Sequence, residues 1–133
     1  MTMSISRFLL LGCFAGLLVE GEAQNLVPNW SFEEHALCPD DYGQVERATD
    51  WHKSLVNNVP QYHTEYLNAC GTPAFGVPSN SGGFQEASTG QAYVSEVSLA
   101  PTVMPNYREN IYVQLIAPLS VGKTYDVSFK LSP

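Results

Sequence analysis

The chain has 133 residues, with thirteen Asp or Glu against six Lys or Arg and a formal charge of −7. An acidic balance of this kind argues against a nucleic-acid or anionic-membrane partner, since both select basic surfaces. Charged residues are sparse while Gly, Pro, Ser, Asn and Tyr are plentiful, a mix that suits short strands joined by polar loops rather than helices.

Residues 1–23 read as a processing signal. Arg7 supplies the positive charge, Phe8 to Val19 the apolar stretch, and Gly21 and Ala23 the small residues before a cut after Ala23. The stretch falls short of the ~20 apolar residues of a transmembrane helix, and the acidic flank of Glu20 and Glu22 disfavours a stop-transfer anchor. Leu10-Leu-Gly-Cys13 also resembles a lipoprotein box that would acylate Cys13. The apolar run before it is short, so ordinary cleavage is the preferred reading. Both routes export the protein, to the medium or to the outer membrane and cell surface. Residues 24–133 then form the folded part, with a formal charge of −6 once Arg7, Glu20 and Glu22 are removed.

Asn25-Leu-Val-Pro-Asn-Trp-Ser-Phe-Glu-Glu34 reads as an opening strand, with Trp30 and Phe32 facing the same way. A short strand is expected at Asp50 to Ser54 around Trp51, and a single helical turn at Tyr62 to Leu67. Further strands are expected at about Gln91 to Leu99 and at Glu109 to Leu115. The clearest is Lys123 to Leu131, where Tyr125, Val127, Phe129 and Leu131 alternate with polar residues. Pro118 and Gly122 punctuate the connection before it. No helix of ten residues or more is expected.

Two long loops, 35–49 and 68–90, carry Cys38 and Cys70. Export favours a disulfide, and two cysteines in the mature chain leave a single pairing. Closing that loop stabilises the fold by about 3–4 kcal/mol on the chain-entropy estimate. A metal site is the competing reading, but His35, His52 and His63 are scattered in the sequence and no CxxC spacing is present.

These elements predict an all-β fold, an antiparallel β-sandwich of the jelly-roll kind. A jelly roll has about eight strands. The chain stops directly after its best strand, so the sandwich is expected to be incomplete at the C-terminus, with residues 24–133 its N-terminal part.

The segments Asn25 to Glu33, Trp51, Gly90-Gln-Ala-Tyr93 and Pro118-Leu-Ser-Val-Gly-Lys-Thr-Tyr125-Asp-Val-Ser-Phe129 together resemble galactose-binding-domain-like jelly rolls, a group rich in carbohydrate-binding modules. Cys38-Pro39, Asn68-Ala-Cys70, Gly76-Val-Pro-Ser-Asn80 and Tyr107-Arg-Glu109 extend the likeness to secreted proteins of Bacteroidetes. The resemblance spans nearly all of residues 24–133 in order. It implies placement at the cell envelope, and relatives of this kind continue into an OmpA-like or secretion-sorting segment, so a C-terminal anchor is expected to be missing here. It also implies a structural calcium with Glu33 as the preferred ligand, set against a solvated acidic pair Glu33/Glu34, which is favoured. Calcium is thus the one cofactor implied.

Tyr62, Tyr66 and Tyr107 are the candidates for stacking on a sugar face, because loops carry function on such scaffolds. Trp51 and Trp30 are assigned to the core. Catalysis has little support. Glu33/Glu34 and Asp40/Asp41 are adjacent carboxylates that would point to opposite faces of a strand, and no nucleophile, phosphate-loop or HExxH motif is present. The leading expectation is an exported, non-catalytic module that recognises glycan or another envelope component. The alternatives are a structural surface or adhesion domain without a small ligand, or the accessory fragment of a larger secreted hydrolase.

Overall fold

The computed structural model describes residues 24–56, 59–60, 64–97 and 108–132. Residues 1–23, which include Cys13, and Tyr62 and Tyr107 lie outside the described residues. Among those described, the regular structure is almost all strand, with one short 3-10 turn at Val45–Arg47. The strands are β1 Trp51–Lys53, β2 Leu55–Val56, β3 Val59–Pro60, β4 Glu65–Asn68, β5 Ser79–Asn80, β6 Gly83–Phe84, β7 Ala92–Ser95 and β8 Ile111–Val113. They pair antiparallel as four two-stranded sheets, β1 with β8, β2 with β3, β4 with β7, and β5 with β6. The all-β class expected from the sequence is therefore present, and its sheets are small.

The β4–β7 pair is the longest ladder and supplies the core. Its register places Tyr66 opposite Val94 and Asn68 opposite Ala92. Tyr66, Ala92 and Ala48 are buried together, with Phe32, Trp51 and Val94 packed around them. Residues 65–67 are thus strand rather than the helical turn expected. Thr64, Tyr66 and Asn68 alternate with Glu65 and Leu67, and pairing with a strand 24 or more residues away overrides the local preference.

The opening segment also departs from expectation. Asn29 and Phe32 adopt positive φ values of 43° and 62°, and the Phe32 N–H donates to the Asn29 carbonyl at 3.0 Å. Residues 28–31 therefore form a turn instead of a strand, as Pro28-Asn29 permits. The turn breaks the alternation, so Trp30 points outward at 56% exposure. Phe32 turns inward against Trp51, with ring centroids 4.7 Å apart. A phenylalanine in the left-handed region is strained. Here the Trp51 ring and a hydrogen bond from the Tyr66 hydroxyl to the Phe32 carbonyl, 2.9 Å, hold it there.

After the turn the chain pairs at a single bridge, His35 with Ala48. The Ala36 N–H donates to Arg47 and the Thr49 N–H to Glu34. Within the segments 50–54, 91–99 and 109–115 where strands are expected, the shorter β1, β7 and β8 form, and residues 98–99 lie outside the described residues. The strand expected at Lys123 to Leu131 does not form. Val127, Phe129 and Leu131 are 87%, 76% and 84% exposed. Period-two alternation marks an apolar face, but a strand forms only where a partner edge lies alongside.

Candidate functional site

The disulfide Cys38–Cys70 is formed, with Cα atoms 5.5 Å apart. It joins the loop after the His35 bridge to the loop after β4. A backbone hydrogen bond from the Thr72 N–H to the Pro39 carbonyl continues the join, and one from the Asn68 N–H to the Phe75 carbonyl closes the second loop on itself. Asn68 itself is buried, donating from Nδ2 to the Tyr66 hydroxyl at 2.8 Å and accepting at Oδ1 from the Cys70 N–H at 2.9 Å. The staple is thus anchored to the core through one asparagine. Gly71 completes the contact, because a Cβ there would lie 2.5 Å from the Phe75 carbonyl oxygen and 2.9 Å from Pro39 Cγ.

Within the first stapled loop, residues 40–47 are held by side chains. Gln44 Oε1 accepts the N–H groups of Asp40 and Asp41 at 2.9 and 3.1 Å, and its Nε2 donates to Asp40 Oδ1 at 2.8 Å. Arg47 Nη2 pairs with the same Asp40 oxygen at 2.8 Å, while Nη1 donates to the Cys38 carbonyl. The hydrogen bond from Gln44, and next that from Arg47, hold the Asp40 carboxyl below its ordinary value. Asp41 Oδ1 accepts the Tyr42 N–H at 2.8 Å.

This framework presents Tyr42. Its ring stands edge-on to Phe75, with centroids 5.0 Å apart. Phe75 is buried at 4% exposure while Tyr42 is 56% exposed. The result is a wet aromatic face braced from beneath by a core residue of the other stapled loop. The carboxylates of Asp40 and Asp41 and the Gln44 amide lie at the neighbouring positions. An aromatic face beside ordered hydrogen-bonding groups can stack on a flat apolar surface and orient its polar substituents.

The residues chosen from sequence fare differently. Tyr66 is fully buried and its hydroxyl is engaged by Asn68 and Phe32. Burial first, and then the nearby Glu33 carboxylate, raise its pKa against the opposing effect of Asn68. A ring so placed offers no face to a ligand and belongs to the core. Glu33 accepts the Gln91 N–H at 2.9 Å through Oε1, and its carboxylate occupies the space that a side chain at Gly90 would need. The one group of three or more His, Cys, Asp or Glu ligand atoms among the described residues is His35, Cys38 and Cys70, which excludes Glu33. Calcium takes six to eight oxygen ligands. The Glu33 surroundings supply a backbone N–H donor to Oε1 instead, and no cluster of acidic ligands gathers with it among the described residues.

Sequence reasoning missed Tyr42. Asp40-Asp-Tyr-Gly43 reads as generic turn chemistry, and only the Gln44 and Arg47 contacts show that the turn is rigid. It also missed the position of His35, which stands beside the disulfide with Nε2 3.5 Å from Cys70 Sγ.

A third feature lies at the open end of the β4–β7 ladder. Burial, and secondarily the Glu109 carboxylate, push Glu65 up to about 7, and the same two causes raise Glu96. Glu109 is buried and accepts the Val97 N–H through Oε2 at 2.6 Å.

No protein-family model, curated protein or solved structure matches the chain. No helix among the described residues is long and apolar enough to cross a membrane.

Proposed function

We propose that this chain is an exported, non-catalytic β-module that recognises a glycan or another envelope component through its disulfide-stapled loops. The observation that carries this reading is Tyr42, an exposed ring braced by buried Phe75 across the staple. Sugar rings present flat C–H faces to aromatic rings and hydroxyls to carboxylates and amides, and the 40–44 loop offers both kinds of group. The resemblance of Asn25–Glu33 and Gly90–Tyr93 to galactose-binding-like modules supports the same class. Under this reading the small sheets are parts of a jelly-roll sandwich, and residues 1–23 direct export with cleavage after Ala23. The acidic side chains have structural partners that suit a scaffold. Glu33 clasps Gln91, and Asp40 pairs with Arg47.

The test is a glycan array and affinity electrophoresis with the exported protein, wild type and Tyr42→Ala. Binding that Tyr42→Ala lowers at least about fivefold is expected, given stacking and hot-spot losses of about 1–3 kcal/mol. Adding calcium should leave it unchanged. No binding across a broad panel of glycans and isolated envelope fractions would sink the reading.

The exposed row Val127, Phe129 and Leu131 favours a second reading. In it the module is a structural part of a surface or adhesion assembly, and its apolar face is covered by protein. Binding to envelope protein that survives Tyr42→Ala but fails with Phe129→Asp would select that reading.

A further inference from the structure

The exposed face around the staple holds a second arrangement that the recognition reading does not use. Nε2 of His35 lies 3.5 Å from Cys70 Sγ, and the ligand atoms of His35, Cys38 and Cys70 all lie within 4.8 Å of one another. All three residues are exposed. The other ring nitrogen of His35, Nδ1, lies 2.9 Å from the Glu33 carbonyl oxygen. A carbonyl only accepts, so Nδ1 carries a proton, and in the neutral ring Nε2 turns its lone pair toward the sulfur. A disulfide sulfur has no hydrogen to give that lone pair. The orientation is therefore idle in the oxidised protein.

We propose that reduction of Cys38–Cys70 opens a Cys2His site for a thiophilic divalent cation of the zinc class. This site shares no side chain with the Tyr42 face and does not rest on that reading. An external dithiol supplies the two electrons and two protons. One of its thiolates attacks a Cys sulfur to form a mixed disulfide, and its second thiol displaces that link. The dithiol leaves as a disulfide, and Cys38 and Cys70 leave as thiols. Exposed disulfides are the more readily reduced ones. Metal binding then releases both thiol protons to solvent, and the two thiolates with neutral imidazole balance the dication.

The distances suit this change. With zinc–sulfur bonds of about 2.3 Å and a zinc–nitrogen bond of about 2.0 Å, the sulfur-to-nitrogen edge of a tetrahedron is about 3.5 Å. The His35–Cys70 separation already has that value. The two sulfurs need to part to only about 3.8 Å on that geometry, which side-chain rotation across Cα atoms 5.5 Å apart allows. The Nδ1–H to Glu33 carbonyl bond is the outer hydrogen bond that orients a ligating histidine. The fourth position faces solvent. Metal would thus replace the covalent staple with a coordinate one, keeping the two loops joined in both redox states.

The experiment reduces the protein, removes the reductant anaerobically, and titrates Zn²⁺ against a chromophoric chelator. Co²⁺ substitution is read in parallel for thiolate charge-transfer bands, and near-UV circular dichroism is followed throughout. One equivalent bound by the reduced chain and none by the oxidised chain is expected. His35→Ala should weaken binding at least about tenfold, the lower end of losses at metal-site histidines and their partners, and His52→Ala should leave it unchanged. Where reduction unfolds the chain, zinc should restore the near-UV signal in wild type and not in His35→Ala. Absence of binding by the reduced chain overturns the proposal. So does binding or refolding that is equal in wild type and His35→Ala, since that reports two cysteines of a loose chain.

Discussion

Asn29 and Thr49 are joined across twenty residues of sequence by a hydrogen bond of 2.9 Å from the Asn29 side-chain amide to the Thr49 carbonyl. The same amide nitrogen donates to the Glu34 carbonyl at 2.8 Å, and Oδ1 accepts the Glu34 N–H at 3.0 Å. One asparagine thus does the work of a missing strand, tying the opening turn to the segment that leads into β1. Its positive φ suits Asn better than most residues. Asn29→Ala should therefore cost about 2–4 kcal/mol, from three hydrogen bonds at about 1 kcal/mol each. Asn29→Asp should cost about as much, because a carboxylate keeps the acceptor but faces two carbonyls. Urea unfolding checks both, and an effect under 0.5 kcal/mol in either variant would contradict this role.

How much of this was legible beforehand divides along local and non-local physics. Short strands around Trp51, Tyr93 and Ile111, the near-absence of helix among the described residues and the Cys38–Cys70 pairing follow from composition, alternation and the cysteine count, all of which are local or arithmetic. Pro28-Asn29 is compatible with a turn at 28–31, but the Trp30/Phe32 alternation reads as strand, and alternation is blind to a positive φ. Tyr66 and Lys123–Leu131 differ from the sequence pattern for one shared reason. Whether a segment is strand depends on which edge it meets, and that is fixed by contacts far away in sequence. The candidate site was half legible. Its location in the stapled loops follows from the cysteines, whereas Tyr42 emerges only once Phe75 and the Gln44–Asp40–Arg47 network are placed.

Glu65 gives the fold a pH dependence whose sign is set by burial. Its carboxyl titrates near 7 instead of 4.5, so between those values the folded chain holds a proton that the unfolded chain has lost. Stability should be full below about pH 4.5 and should fall as pH rises through 7. Glu96 acts in the same direction, while Asp40 acts oppositely and only below its ordinary 3.8. Half of Glu65 faces water, so the full linkage value is discounted to about 1–2 kcal/mol. Glu65→Gln should flatten the slope and raise stability at pH 8. Urea midpoints measured from pH 4.5 to 8 decide it, and an unchanged slope in the variant would assign the dependence elsewhere.

The two tryptophans should report opposite environments. Trp30 is 56% exposed, whereas Trp51 stacks on Phe32 and donates from Nε1 to the Asn29 carbonyl at 2.9 Å. With Trp51 replaced by Phe, the remaining emission should be red-shifted and readily quenched by acrylamide. With Trp30 replaced by Phe it should be blue-shifted and protected. Trp51→Phe should also cost about 1–2 kcal/mol for a lost hydrogen bond and a looser contact. Trp30→Phe should stay within about 0.5 kcal/mol, as surface changes do. Equal quenching in the two variants would show that the opening segment does not turn at Pro28.

Glu33 and Gly90 should be energetically coupled. Gly90 has a φ of +66°, so an alanine there carries left-handed strain of about 1–2 kcal/mol. Its Cβ would also collide with the Glu33 carboxylate, which cannot swing away without releasing the Gln91 N–H it holds at 2.9 Å. Gly90→Ala should therefore cost about 2–4 kcal/mol in the wild-type background, adding that lost hydrogen bond to the strain. In a Glu33→Ala background the collision is gone, and the same change should cost only the backbone strain. The coupling, about 1–2 kcal/mol, is read from a double-mutant cycle in urea. A calcium ligand at Glu33 would behave differently, since Glu33→Ala would then remove a calcium-dependent rise in melting temperature. The clasp predicts no such rise in either background, so thermal melts with calcium and with chelator separate the two roles.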